Sequence, residues 1–121
     1  MKYIFQKLTD FLSEHGLDYS VSATVEKKDL GQIVIVGGEV KFASEDYSPK
    51  AGSGNWYVEL DDGVGVVRIY LVAPIFEAFK GYIKIGNIIL IKGRIAEKTT
   101  KSITTRYVAG TSIELVEEGK S

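Results

Sequence analysis

Cysteine is absent from this chain, and histidine occurs once, at position 15. The first absence excludes disulfides and thiolate metal sites, and a lone histidine is a poor metal site by itself. His15 follows an amphipathic segment, where a histidine at a helix C-terminus interacts favourably with the dipole. No apolar run approaches the ~18 residues that a membrane-spanning helix needs. The opening Met1-Lys2-Tyr3-Ile4-Phe5 lacks the long apolar core of a secretory signal, and Asp10 and Glu14 soon follow. A cytoplasmic protein with no membrane partner is therefore expected. Gly52-Ser53-Gly54 and Gly63-Val64-Gly65 lack the spacing and the Lys-Ser/Thr ending of a phosphate-binding P-loop. With one histidine, no Ser/His/Asp set can be argued either. These absences lead to the expectation of a non-catalytic protein with no metal and no cofactor.

What is present is ordinary in bulk and uneven in detail. A length of 121 residues with 45% hydrophobic and 26% charged content suits one soluble domain with its own core. The net charge of −1 hides an asymmetry. Between Lys80 and Arg106 lie Lys80, Lys84, Lys92, Arg94, Lys98, Lys101 and Arg106 against the single acid Glu97. Between Glu39 and Asp62, acids outnumber Lys41 and Lys50. A local basic strip can steer an anionic ligand even on a neutral chain. The plainer reading is a solvated, charged sheet face.

The strongest local pattern is Trp56–Leu71, WYVELDDGVGVVRIYL. Trp56, Val58 and Leu60 alternate with Tyr57 and Glu59. After the turn, Val67, Ile69 and Leu71 alternate with Arg68 and Tyr70. Period-two alternation predicts two half-buried antiparallel strands. Asp61-Asp62-Gly63 supplies the reversal, because glycine accepts positive φ and aspartate bonds its own turn. Turn chemistry outweighs a metal or acid/base reading of these aspartates. With the aliphatic face as core, Tyr57, Arg68 and Tyr70 share the open face. Aromatic rings beside a guanidinium are what stacked bases and phosphates require. Trp56 shares the aliphatic face and is expected in barrel-end packing. Tyr47, near a loop tip, is a candidate ring to fold over a ligand.

The remaining elements follow from periodicity and punctuation. Residues 2–15 read as a helix with Ile4, Phe5, Leu8, Phe11 and Leu12 on one stripe and Gly16 as its C-terminal stop. Tyr19–Val25 reads as a strand or arm, and Glu26–Asp29 as a polar loop. Gly31–Phe42 reads as a strand in which Gly37-Gly38 marks a bend or a close approach of another backbone. Ser44–Asn55 is a long loop. Pro74–Phe79 reads as a short helix with proline in its first turn. Ile88–Ile95 is an apolar strand, Ala96–Ser102 a lysine-bearing loop, and Ile103–Val116 a last strand bent at Gly110. The division expected is an N-terminal helix and arm over 1–30, a barrel over 31–116 and a frayed tail over 117–121. Five strands with a helix between the third and fourth is the order of an all-β, Greek-key oligonucleotide/oligosaccharide-binding (OB) barrel. An SH3-like barrel comes second, since it would not need that helix.

The stretches IVIVGGEV, LDDGVG followed by VRIYL, a proline, and IKIGNIILIKGRI resemble OB domains of the anticodon-binding type. Among these the chain is most similar to the OB domain near the C-terminus of bacterial replicative DNA polymerase alpha subunits. The resemblance covers residues 31–116. It implies binding of single-stranded DNA or RNA across the second and third strands, between two loops. By residue it implies Tyr57, Arg68 and Tyr70 on strands, Lys50 in the first loop, and Lys98 and Lys101 in the second. Lys41, Lys92 and Arg94 would lie nearby, on the first and fourth strands. The expected function is single-strand binding of low sequence specificity in replication, repair or RNA metabolism, with Arg68, Lys92, Arg94, Lys98 and Lys101 on phosphates and bases on Tyr57 and Tyr70. The alternative is a protein-interaction or assembly module, for which the N-terminal helix offers a surface for a partner or for self-association.

Overall fold

The computed structural model describes residues 2–15, 30–46 and 55–119. In chain order the elements are α1 (Lys2–His15), β1 (Ile33–Asp46), β2 (Asn55–Asp61), β3 (Val66–Leu71), α2 (Ala73–Phe79), β4 (Ile88–Thr100) and β5 (Ile103–Glu117). A 3-10 turn over Lys80–Tyr82 follows α2. The strands close into a barrel in the order β1-β2-β3-β5-β4, so the expected five-stranded OB-like barrel with a helix between β3 and β4 is the fold observed. The readings of Tyr19–Val25 as a strand or arm and of Glu26–Asp29 as a loop lie outside the described residues.

β1 is shared by two neighbours, which is why it must bend. Ile33–Glu39 pairs with β4, and Glu39–Asp46 pairs with β2. The bend falls at Gly37-Gly38, where other atoms come close. A Cβ on Gly38 would lie 2.4 Å from the Asp61 carbonyl oxygen, and one on Gly37 would lie 2.6 Å from a Leu90 methyl. Next, Val40 pairs with Leu60 and Phe42 with Glu59, leaving Lys41 as the extra residue of a bulge. The bulge shifts the phase of β1, so Val40 and Ala43 face the core while Phe42 is exposed.

The core is the inner face of the alternating strands. Val36, Val40, Val58, Leu60, Ile69, Ile91 and Val108 are fully buried within one cluster. α2 closes one end of the barrel. Ile75, Phe76 and Phe79 pack on the cluster together with Trp56, whose ring stacks on Phe76 at 4.1 Å between centroids and 1° between planes. The Asn55 side-chain oxygen accepts a hydrogen bond from the Ala73 N–H at 3.0 Å, tying the start of β2 to that of α2.

α1 covers the outside of the barrel. Leu8 and Leu12 pack with Ile88 and Leu90, flanked by Phe11, Ile35 and Val116. Leu8 and Leu12 of the helix stripe are thus buried on β1, β4 and β5 of the same chain.

The β2–β3 turn rests on aspartate chemistry. Asp62 is fully buried, and its Oδ1 accepts the N–H groups of Val64 and Gly65, both at 2.8 Å. Asp61 Oδ1 accepts from Gly63 N–H at 2.8 Å. Asp62→Ala would leave two turn N–H groups without that acceptor and is expected to destabilise by about 1–3 kcal/mol in urea unfolding, with Asp62→Asn losing less.

Three boundaries differ from the sequence expectation. β1 continues through Asp46, because Ser44, Glu45 and Asp46 pair with Tyr57, Trp56 and Asn55. The 96–102 segment is mostly strand, with only Lys101-Ser102 as its turn. Its polar residues hide the signal, yet they pair: Glu97 with Arg106 at 3.2 Å, and Thr99 Oγ1 with Thr104 Oγ1 at 3.0 Å. The tail is held further than expected. Glu117 bonds Lys7 at 3.0 Å, and Gly119 N–H donates to Asn87 Oδ1 at 2.8 Å. Residues 120–121 lie outside the described residues. The bend expected at Gly110 is a bulge. Lys92 pairs with Ser112 and Gly93 with Gly110, so Thr111 is the extra residue.

Candidate nucleic-acid interface

One row of rings crosses four strands on the barrel's outer face. Tyr57 and Tyr70 are direct partners on β2 and β3, so their rings meet, with centroids 5.0 Å apart. The bulge at Lys41 brings Phe42 of β1 beside Tyr57, at 6.1 Å. On the other side, Tyr70 pairs with Ala109 in the short parallel contact of β3 with β5. Two residues earlier on β5, Tyr107 meets Tyr70 in a T-shaped pair with centroids 4.6 Å apart. The result is a continuous aromatic platform, Phe42–Tyr57–Tyr70–Tyr107. Tilted and edge-on packing of this kind suits aromatic quadrupoles and fixes the rings.

Beyond the platform rises an arm. After Arg94, β4 has no β1 partner and runs on with β5 as a two-stranded hairpin to Lys101-Ser102. Both turn residues have positive φ, 51° and 69°. A two-residue hairpin turn of this hand usually employs Asn or Gly. In other residues such a conformation costs roughly 1–3 kcal/mol.

Between the arm and β3 lies a hollow of about 380 Å³, lined by Tyr57, Arg68, Tyr70, Lys98, Lys101, Ile103, Thr105 and Tyr107. Lys98 Nζ sits over the Tyr70 ring, 5.6 Å from its centroid, within cation–π range. The Tyr57 hydroxyl donates to Glu59 Oε2 at 2.6 Å. Burial first, and then the Glu59 hydrogen bond, hold the Tyr57 phenol well above the ordinary tyrosine range. It stays neutral at every physiological pH. The hollow therefore combines a neutral aromatic floor with three cations at its sides. The chemistry available is stacking of flat rings and pairing with anionic oxygens.

The sequence candidates divide accordingly. Tyr57, Arg68, Tyr70, Lys98 and Lys101 meet at one hollow. Lys92 does not join them. It lines a separate depression with Ile35, Leu90, Ser112 and Glu114, because its position on β4 faces the side flanked by α1. Arg94 is on the barrel surface at the start of β1, where its Nη1 donates to the Gly31 carbonyl at 3.2 Å. The expected basic strip is thus divided. Arg106 pairs with Glu97 and Lys80 with Glu77. Tyr47 and Lys50 lie outside the described residues. Tyr107 and Phe42 were not among the candidates. The alternation Ile103, Thr105, Tyr107 carries a signal for the first, but its neighbour on β3 is set by long-range pairing. Phe42 is brought in by a bulge. Among the described residues, no group of His, Asp or Glu side chains is arranged to hold a metal ion, and no helix is long and apolar enough to cross a membrane.

No family model and no curated protein matches the chain. Solved structures do. Asparaginyl-tRNA synthetase from Pyrococcus horikoshii aligns with 83% of this chain at TM-score 0.62 and 13% identity, over 23% of its own length. The Entamoeba histolytica asparaginyl-tRNA synthetase aligns with 84% of this chain at TM-score 0.61 and 18% identity, over 24% of its length. The chain spans about a quarter of these synthetases. OBody AM3L09, solved bound to hen egg-white lysozyme, matches over 74% of this chain and 86% of its own at TM-score 0.58 and 22% identity. These three structures are synthetases and an OBody, not polymerase subunits. At these identities the likeness establishes architecture, and together with the strand order it makes this chain an OB-like barrel with an added N-terminal helix.

Proposed function

We propose that this protein is a non-catalytic, cytoplasmic binder of single-stranded nucleic acid with low sequence specificity. The observation that carries the reading is the four-ring platform with Lys98 over Tyr70 and Arg68 and Lys101 at the same hollow. Every base has a π-face, so stacking on such a platform tolerates any sequence. Three cations beside it neutralise phosphates. Fold analogy supports RNA through the synthetases and DNA through the sequence resemblance to polymerase OB domains. Roles in replication, repair or RNA metabolism follow from that class of ligand. A duplex offers such a platform no free base faces along its length, because its bases are already stacked on each other.

A labelled single strand is expected to bind in low salt, with log Kd rising against log salt at a slope of roughly 0.7 per phosphate neutralised, about 2 for three phosphates. A duplex of the same sequence is expected to bind far more weakly. Equal binding of the two, or no binding of any single strand, contradicts the proposal. The second outcome favours a protein-interaction module, the reading to which the lysozyme-bound OBody lends support.

A further inference from the structure

We infer that the hollow between β3 and the β4–β5 arm takes the phosphorylated end of a strand, a terminal phosphomonoester, in preference to an internal phosphodiester. This rests on the single-strand reading above and narrows its ligand.

Three observations lead there. The first is charge. Arg68, Lys98 and Lys101 line one hollow, and among the described residues none of the three is in an ion pair. The acid cross-strand from Arg68, Glu59, accepts the Tyr57 hydroxyl and lies outside the lining. An internal diester brings a single negative charge, whereas a terminal phosphate carries about 1.5–2 at pH 7 with three acceptor oxygens. Three cations fit the second ligand better.

The second observation is where the platform stops. Tyr107 is its last ring, and the β4 partner of Tyr107 is Ala96. Beyond lies only the arm. At the opposite end, Phe42 is cross-strand from Glu59, and Lys41 is bound to Glu39 at 2.6 Å. Arg68 stands cross-strand from that same Glu59, whereas Lys98 and Lys101 belong to the arm, so a strand lying along the rings towards Tyr107 would set its last phosphate against the arm's lysines.

The third is the turn. Lys101 occupies a positive-φ position that asparagine or glycine would fill with less strain. A cation stands there instead, and it lines the hollow.

The test uses the full chain and one tetranucleotide sequence in three forms: hydroxyl at both ends, phosphate at the 5′ end, phosphate at the 3′ end. A pentanucleotide with one more internal diester is the charge control. Calorimetric titration is expected to show one phosphorylated form binding about tenfold tighter than the hydroxyl form, as an added charged hydrogen bond gives. The pentanucleotide should gain much less. Lys101→Asn, which accepts the same backbone, should keep the melting temperature and remove the advantage of the phosphate. Equal binding of all three tetranucleotides, or an equal gain from the extra diester, overturns the inference and leaves the single-strand reading intact. No binding of any of them overturns both.

Discussion

Replacing Leu8 by alanine is expected to destabilise the protein by about 2–5 kcal/mol, the range for truncating a buried leucine where the site cannot collapse. Leu8 is the centre of the α1 packing, with no exposed surface, set against Leu12, Ile88 and Leu90. The approach is close. A Cβ added to Gly37 would lie 2.9 Å from a Leu8 methyl. Gln6 is exposed on the same helix, and Gln6→Ala should change stability by no more than about 0.5 kcal/mol. Urea unfolding of the two variants decides the matter. A Leu8→Ala loss near that of Gln6→Ala would mean that α1 does not contribute to the barrel's fold in solution.

Tyr70→Ala should weaken single-strand binding by about 1–3 kcal/mol, the cost of removing one stacking partner. Tyr70 is the hub of the platform. It touches Tyr57, Tyr107 and Lys98, so its removal takes away a ring and frees its neighbours. Tyr70→Phe keeps the ring and should bind nearly as the parent does. Lys98→Ala with Lys101→Ala should weaken binding of all sequences about equally and lower the salt slope by roughly 0.7 for each phosphate that is no longer neutralised. Melting curves must stay close to the parent's for either result to count as a binding effect. If Tyr70→Ala binds as well as Tyr70→Phe, the ring row is structural.

The elements that can be read from the sequence are those whose partners are near in the chain. Val58, Leu60, Ile69 and Leu71 alternate on two strands joined by one turn, so their shared face follows from period alone. The stripe Leu8, Phe11 and Leu12 is equally local. The site is half legible for the same reason. Tyr57 and Tyr70 are hairpin partners, whereas Tyr107 reaches Tyr70 only through the parallel pairing of β3 with β5, which no local pattern encodes. Phe42 depends on one extra residue in β1, and a one-residue shift turns a side chain to the other face. Lys92 and Arg94 share with Lys98 a strand and its alternation, but Lys92 lies on the α1 side of the barrel and Arg94 at the start of β1. The arm is hidden in the sequence because Glu97–Thr105 pairs through ions and hydroxyls instead of an apolar face.

The most direct test of the central claim is the map of backbone amide shifts when a short single strand is added to the isotope-labelled protein in low salt. The amides of Tyr57, Arg68, Tyr70, Lys98, Lys101 and Tyr107 should move together and saturably. Those of Ile35, Lys92 and Ser112, on the α1 side of the barrel, should stay where they are. Shifts centred on Lys92 and Ser112, or no shifts at all, would contradict the assignment of the ring platform as the nucleic-acid surface.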